Sequence, residues 1–193
     1  MTCIVGIANE GKVYMGGDSA ITRGDVYAGT FGKVFSGLES KLIIGVCGSL
    51  RISQVTKLAF SSDNCDSSKI VPGDEEMFMT RCFVDALRDS LGKAGCLGQK
   101  DGEEYSARDT AWLVGVNGRL FYVDGYFGVG ERADGFDAVG SGARYAMGWL
   151  YGHTVLGYKP VFKVEGALKA AAYFDEHVRP PFRTCVLEES DAE

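Results

Sequence analysis

The chain has 193 residues, enough for one domain, 1–193, with a sizeable core. At 46% hydrophobic and 24% charged residues, its composition excludes a disordered chain. A net charge of −6 argues against a general nucleic-acid or anionic-membrane surface.

Four short strands open the chain, at about 2–8, 12–18, 32–36 and 41–47. Termini usually fray, yet "TCIVGI" is written as core from residue 2. A helix follows in "LRISQVTKLAF", with Ile52, Val55, Leu58 and Ala59 at helical spacing. The next helix opens after Pro72 and Gly73 with Asp74, Glu75 and Glu76, acids that suit the positive end of the helix dipole. Its apolar stripe is Phe78, Cys82, Phe83, Ala86, Leu87 and Leu91. Residues 92–108 read as one long polar loop. Strands resume in "TAWLVGVNGRLFYVDG", a hairpin turning at Asn117-Gly118. A strand at about 136–140, helices at about 141–156 and 161–178, a strand at "RTCVL" and an acidic tail, about 187–193, complete the chain.

Hairpin-joined strands imply antiparallel pairing. Two strand groups and two helix pairs imply an α+β fold of two stacked antiparallel sheets, each covered by helices on its outer face. No apolar run approaches the roughly 20 residues of a membrane span. The N-terminus lacks the basic region of a signal peptide, so a cytoplasmic protein without membrane or nucleic-acid partners is expected. The six cysteines include no C-x-x-C pair and suit reduced thiols. The two histidines lie far from any cysteine cluster, and no structural zinc site is expected.

Several residues carry chemistry. Thr2 becomes the first residue if Met1 is removed, and a small second residue permits that removal. It then holds a hydroxyl and an α-amine of pKa roughly 7.7–8.0, a nucleophile and a base in one residue. Lys33 alternates with Phe31 and Phe35 in "TFGKVFS". It is either a lysine paired with a buried carboxylate or one that snorkels to the surface. Asp18, after Gly16 and Gly17, is its natural partner, or else a turn acid. Leu168, Ala171, Ala172 and Asp175 share i, i+3, i+4, i+7 spacing, which sets Asp175 on an apolar stripe unless it escapes at the helix end. "IIGVCGSL" turns a strand into a helix at Gly48-Ser49, where outward amides suit an oxyanion. "AVGSGARY" does the same at Ser141-Gly142 and lacks a phosphate-loop pattern. Val46 and Leu50 flank the Gly48 turn as candidate linings of an apolar specificity pocket.

Taken together, "TCIVGI", "GKVYMGGDS", "GTFGKVF", "IIGVCGSL" and "FDAVGSGARYA" resemble the proteasome β-subunit family, including its HslV branch. The resemblance spans most of the chain in order. It implies a four-layer αββα sandwich, the N-terminal-nucleophile hydrolase fold. It assigns Thr2 as nucleophile with its amine as base, Lys33 to tune the hydroxyl, and Asp18 to hold Lys33. Gly48 becomes the oxyanion donor, Ser141 a hydrogen-bonding partner of the amine, and Asp175 a supporting aspartate as in proteasome subunits. HslV-like proteins also bind a sodium ion through carbonyls that correspond here to Ala172, Asp175 and Val178, and no cofactor is required. Val178 stands where the family usually has Ser or Thr, and "CGSL" replaces its usual paired small residues.

The implied activity is that of a threonine endopeptidase acting on unfolded polypeptide. The implied assembly is a homo-oligomeric ring, stacked in pairs and fed by an ATPase unfoldase on a separate chain. The alternatives are a non-catalytic ring or scaffold protein that keeps the fold, and a hydrolase of small amides. Retention of Met1 would block the amine and favour the first alternative.

Overall fold

A computed structural model describes residues 2–23, 26–61, 65–100, 103–107 and 109–188; Met1 and the tail beyond 188 lie outside the described residues. Strands β1 (Ile4–Asn9), β2 (Lys12–Asp18), β3 (Ala20–Arg23), β4 (Val26–Thr30), β5 (Val34–Gly37) and β6 (Leu42–Cys47) lead into helix α1 (Leu50–Ser61). A composite helix follows: α2 (Glu75–Met77), a π-helical stretch (Phe78–Phe83) and α3 (Val84–Lys93). Then come β7 (Gly98–Lys100), β8 (Glu103–Ser106), β9 (Ala111–Val116), β10 (Arg119–Val123), β11 (Val129–Glu131) and β12 (Phe136–Val139). Helices α4 (Ala143–Gly152) and α5 (Pro160–Phe174) and strand β13 (Phe182–Leu187) end the described chain.

The pairings are antiparallel and build one sheet ordered β12-β1-β2-β13 and another ordered β11-β10-β9-β6-β5. Side-chain alternation explains the stacking. Cys3, just before β1, and Val5 and Ile7 on it join a cluster with Leu150, Val164 and Leu168 of α4 and α5. Ile4, between them, joins Val13 and Met15 against Ile43, Leu113 and Leu120 of the other sheet. On β6 and β9 the opposite faces, Ile44, Val46, Trp112 and Val114, meet Ile52 and Phe60 of α1 and Leu87 and Leu91 of α3. A strand buried on both faces reads as a continuous apolar run, which is why "TCIVGI" is core from its start. Helix α5 lies so close over β2 that a Cβ at Gly16 would come 2.6 Å from Val164 Cγ1.

Several elements differ from the sequence expectation. The β3–β4 hairpin falls where no strand is expected, because β4 is largely exposed and carries no apolar alternation. The expected strand at 32–36 is β5, displaced toward Gly37. The 92–108 loop is instead the end of α3 followed by the β7–β8 pair. The π-helical stretch adds a residue to one turn, so Met79 and Val84 are buried while Cys82 is only half-buried. Helix α5 stops at Phe174 instead of reaching 178, and Asp175 is its extended C-cap residue. All six cysteines are free thiols. Among the described residues no helix is long and apolar enough to cross a membrane.

Candidate active site

The β1–β2 register opposes Ile4 with Gly17, which brings the first residues of the chain against Asp18. The Cys3 amide donates to Asp18 Oδ1 at 2.9 Å, and the Asp18 amide returns to the Cys3 carbonyl at 3.2 Å. Asp18 is fully buried and accepts two more bonds on Oδ2, from the Ala20 amide at 3.1 Å and from Lys33 Nζ at 2.7 Å. Burial pushes its carboxyl above the usual range, and Lys33 and the two amides oppose that rise. Lys33 is itself 8% exposed, so this is an ion pair withdrawn from water.

The pair forms although 14 residues separate its members in sequence. The intervening β3–β4 hairpin leaves the sheet and returns, and the Phe31 amide donates to the Ser19 carbonyl at 2.8 Å across its root. That clasp sets Lys33 beside Asp18. The Val46 amide then donates to the Lys33 carbonyl at 3.0 Å and ties it to β6.

At the end of β6, Gly48 takes φ +135°, and a Cβ there would lie 2.5 Å from Thr110 Oγ1. Only glycine fits this turn without strain. Ser49 then caps α1, its Oγ accepting the Ile52 amide at 3.2 Å. After β12, Gly140 takes φ +100°, and a side chain there would also collide with the Thr2 carbonyl oxygen. Ser141 Oγ accepts the Thr2 amide at 3.3 Å and donates to the Thr2 carbonyl at 3.4 Å. The Gly142 amide adds a bond to the same carbonyl at 3.3 Å. Thr2, 3% exposed, is held by this turn at both its nitrogen and its carbonyl.

Thr2, Lys33 and Gly48 line one cavity of about 90 Å³, together with Ile21, Thr22, Phe31, Leu50 and Ser53. Leu50 lines it as expected, whereas Val46 does not: its side chain points into the outer core under α1. Sequence reasoning missed Ala20, which also lines it, Ile21, Thr22 and Ser53. The first three sit on the β3–β4 hairpin, and Ser53 is one helical turn after Ser49.

Asp175 stands apart from this cavity. It is half-buried, and its Oδ1 accepts the His177 amide at 3.0 Å. It lines a second cavity with Ser141, Arg144 and His177. Val178 is 1% exposed and packs in the α4–α5 core, with a methyl group beside Gly142. Beside the site, burial and then the charges of Asp18 and Asp175 push the Cys3 thiol from 9.0 to about 12.

Among the described residues no cluster of three His, Cys, Asp or Glu side chains could hold a metal, so any cation in this region would rest on carbonyls. Ala172 lies in the last turn of α5, where carbonyls lack intrahelical partners. The Asp175 carbonyl accepts the Val178 amide at 3.0 Å and keeps a second lone pair. These donors suit a hard cation.

The fold is shared with solved structures of HslV and Anbu proteins. Among solved structures the chain is similar to BPH of Thiobacillus denitrificans, with a TM-score of 0.79 at 20% identity over 99% of this chain and 100% of that one. HslV from Trypanosoma brucei follows with a TM-score of 0.69 at 18% identity, covering 97% of this chain and 99% of that chain. Anbu, the ancestral beta-subunit from Yersinia bercovieri, has a TM-score of 0.69 at 15% identity, over 97% of this chain and 82% of that chain. No protein-family model and no curated protein matches the sequence.

Proposed function

We propose that this chain is a threonine-type endopeptidase that uses Thr2 after removal of Met1. The observation that carries the reading is the shared cavity of Thr2, Lys33 and Gly48, with Lys33 fixed by a buried Asp18. The Thr2 hydroxyl attacks a peptide carbonyl, forming a bond from Oγ to carbon while its proton passes to the α-amine. The Gly48 amide stabilises the oxyanion. The carbon–nitrogen bond then breaks, the amine hands its proton to the leaving nitrogen, and water hydrolyses the ester. The Lys33 ammonium beside the site favours loss of the hydroxyl proton. Ser141 orients the amine, and Asp175 supports that side through the turn at 175–178.

The same reading takes 1–193 as one domain with the four-layer αββα arrangement, since helices cover the outer face of each sheet. It extends to a homo-oligomeric ring, stacked in pairs in the cytoplasm, that degrades polypeptide unfolded by a separate ATPase. The carbonyls of Ala172, Asp175 and Val178 would hold a structural sodium ion that rigidifies the turn. A second reading, a non-catalytic ring protein, is favoured by Val178, which offers a methyl group where the family usually presents a hydroxyl.

The test combines mass spectrometry of the N-terminus with peptide cleavage. The expected result is a chain starting at Thr2, cleavage abolished by Thr2→Ala, and covalent labelling of the N-terminal peptide by epoxomicin, the compound bound to BPH in one of its structures. A chain that retains Met1 and cuts nothing would overturn the peptidase reading.

A further inference from the structure

We propose that the cavity behind Ser141 receives the leaving-group half of the substrate and selects an aromatic side chain immediately after the scissile bond. The inference rests on the peptidase reading above and adds a substrate class to it. In that chemistry the proton taken from the Thr2 hydroxyl travels through the α-amine to the leaving nitrogen. The leaving half must therefore lie on the amine side of Thr2. Ser141 Oγ accepts from the Thr2 nitrogen at 3.3 Å. Ser141 also lines the cavity of about 480 Å³ formed with Arg144, Tyr145, Phe174, Asp175 and His177. Ser141 therefore stands between the Thr2 nitrogen and this cavity, which places the cavity on the leaving-group side of Thr2.

The walls of this cavity decide what fits. Tyr145 and Phe174 stack at 5.2 Å between centroids, inclined by 25°. They remain 42% and 63% exposed, which leaves ring surface open to a third aromatic group. Arg144 supplies a guanidinium, which stacks readily on aromatic faces. Charge gives no clear preference, because Asp175 and Glu176 line the same space. Both acids also face His177: Asp175 accepts its amide at 3.0 Å, and Glu176 Oε1 lies 3.3 Å from its Nε2. A neutral aromatic side chain is the group that uses this wall without leaving a charge unmatched.

The experiment compares peptides identical up to the scissile bond and differing only in the next residue: Phe, Ala, Asp or Lys. The expected result is a kcat/KM about tenfold higher for Phe than for Ala, with Asp and Lys no better than Ala. In Phe174→Ala, and separately in Tyr145→Ala, that ratio falls toward one. A mass shift on the parent chain's N-terminal peptide after epoxomicin treatment reports on Thr2 independently of the preference for Phe. If Thr2 is labelled and peptides are cut without preference for Phe, the subsite is overturned and the peptidase stands. If the preference survives both substitutions, or Asp or Lys is favoured, the subsite is likewise overturned. If neither labelling nor cleavage occurs, the peptidase reading falls and the subsite with it.

Discussion

Replacing Asp18 with asparagine tests the buried pair most directly. The carboxylate accepts three hydrogen bonds: Cys3 on Oδ1, Ala20 and Lys33 on Oδ2. An amide has one acceptor oxygen. If that oxygen takes the Oδ2 position, the Cys3 amide meets an NH₂ group. If it takes the Oδ1 position, the Ala20 amide and the Lys33 ammonium both do. Either way a buried donor loses its partner, at about 1–3 kcal/mol for a neutral group and more for a charged one. Lys33 also loses its counter-charge while 8% exposed, and one-sided removal from a buried pair costs about 3–5 kcal/mol. The expected total, about 3–5 kcal/mol, is a large share of a typical stability of about 5–15 kcal/mol. Denaturant unfolding measures it, and Lys33→Met completes a double-mutant cycle. The double variant should be less destabilised than the two single losses summed. Under conditions where the variants stay folded, both should lose peptide cleavage. A loss below about 1 kcal/mol for Asp18→Asn, or additive single losses, would refute the account of Asp18 and Lys33 as one buried unit.

Gly48→Ala should cost about 1–3 kcal/mol, because φ +135° strains any side chain and the new methyl meets Thr110; thermal unfolding reads the loss, and peptide cleavage should fall with it as the amide is displaced. Cys3 predicts an alkaline limit. Its thiol titrates near 9.0 when unfolded and about 12 when folded. The folded state therefore holds a proton that the unfolded state releases, and stability present below pH 9 is lost at up to about 1.4 kcal/mol per pH unit until about pH 12. Comparing urea unfolding of the parent and Cys3→Ala from pH 8 to 11 isolates that slope, and native Cys3 should resist thiol reagents at pH 8. Glu75, 3% exposed, accepts from the Gly73 amide, from Asn117 and from Arg119. Glu75→Leu should destabilise by about 1–3 kcal/mol, measured by urea unfolding, because it removes the acceptor of the Gly73 amide and Asn117 while Arg119 keeps Glu131.

Much of the site is legible because its constraints are local. Gly48 and Ser141 fall at strand-to-helix turns that the sequence marks with small residues, and the structure turns the chain at both. Asp18 follows two glycines that let α5 and the opposite sheet approach β2. The Asp18–Lys33 pairing is legible as chemistry and not as geometry. A buried lysine needs a carboxylate, yet β4 of the hairpin that joins the two exposes its apolar residues Val26 and Tyr27 and gives no periodic signal. Ile21 and Thr22 are therefore invisible in the sequence as cavity linings, although they share the cavity with Thr2, Lys33 and Gly48. Val46 failed for the opposite reason. It neighbours the Gly48 turn, but alternation along β6 sends its side chain to the helix side.

Asp175 shows where periodicity and chain ending compete. Its spacing from Leu168 continues the apolar stripe, but the helix closes at Phe174 and Asp175 takes an extended conformation. Its carboxylate then serves the His177 amide, and its carbonyl serves the Val178 amide. The turn buries Val178 against Gly142, where a Cβ would come 3.0 Å from the valine methyl. That contact bears on the loop holding Thr2, since Gly142 donates to the Thr2 carbonyl. The valine thus holds by packing a turn that a hydroxyl would hold by hydrogen bonding. A methyl can restrain the position of Ser141 and its neighbours, but it cannot accept a proton or orient an amine. On this side of the N-terminal group, Ser141 Oγ is a hydrogen-bond partner of the Thr2 nitrogen.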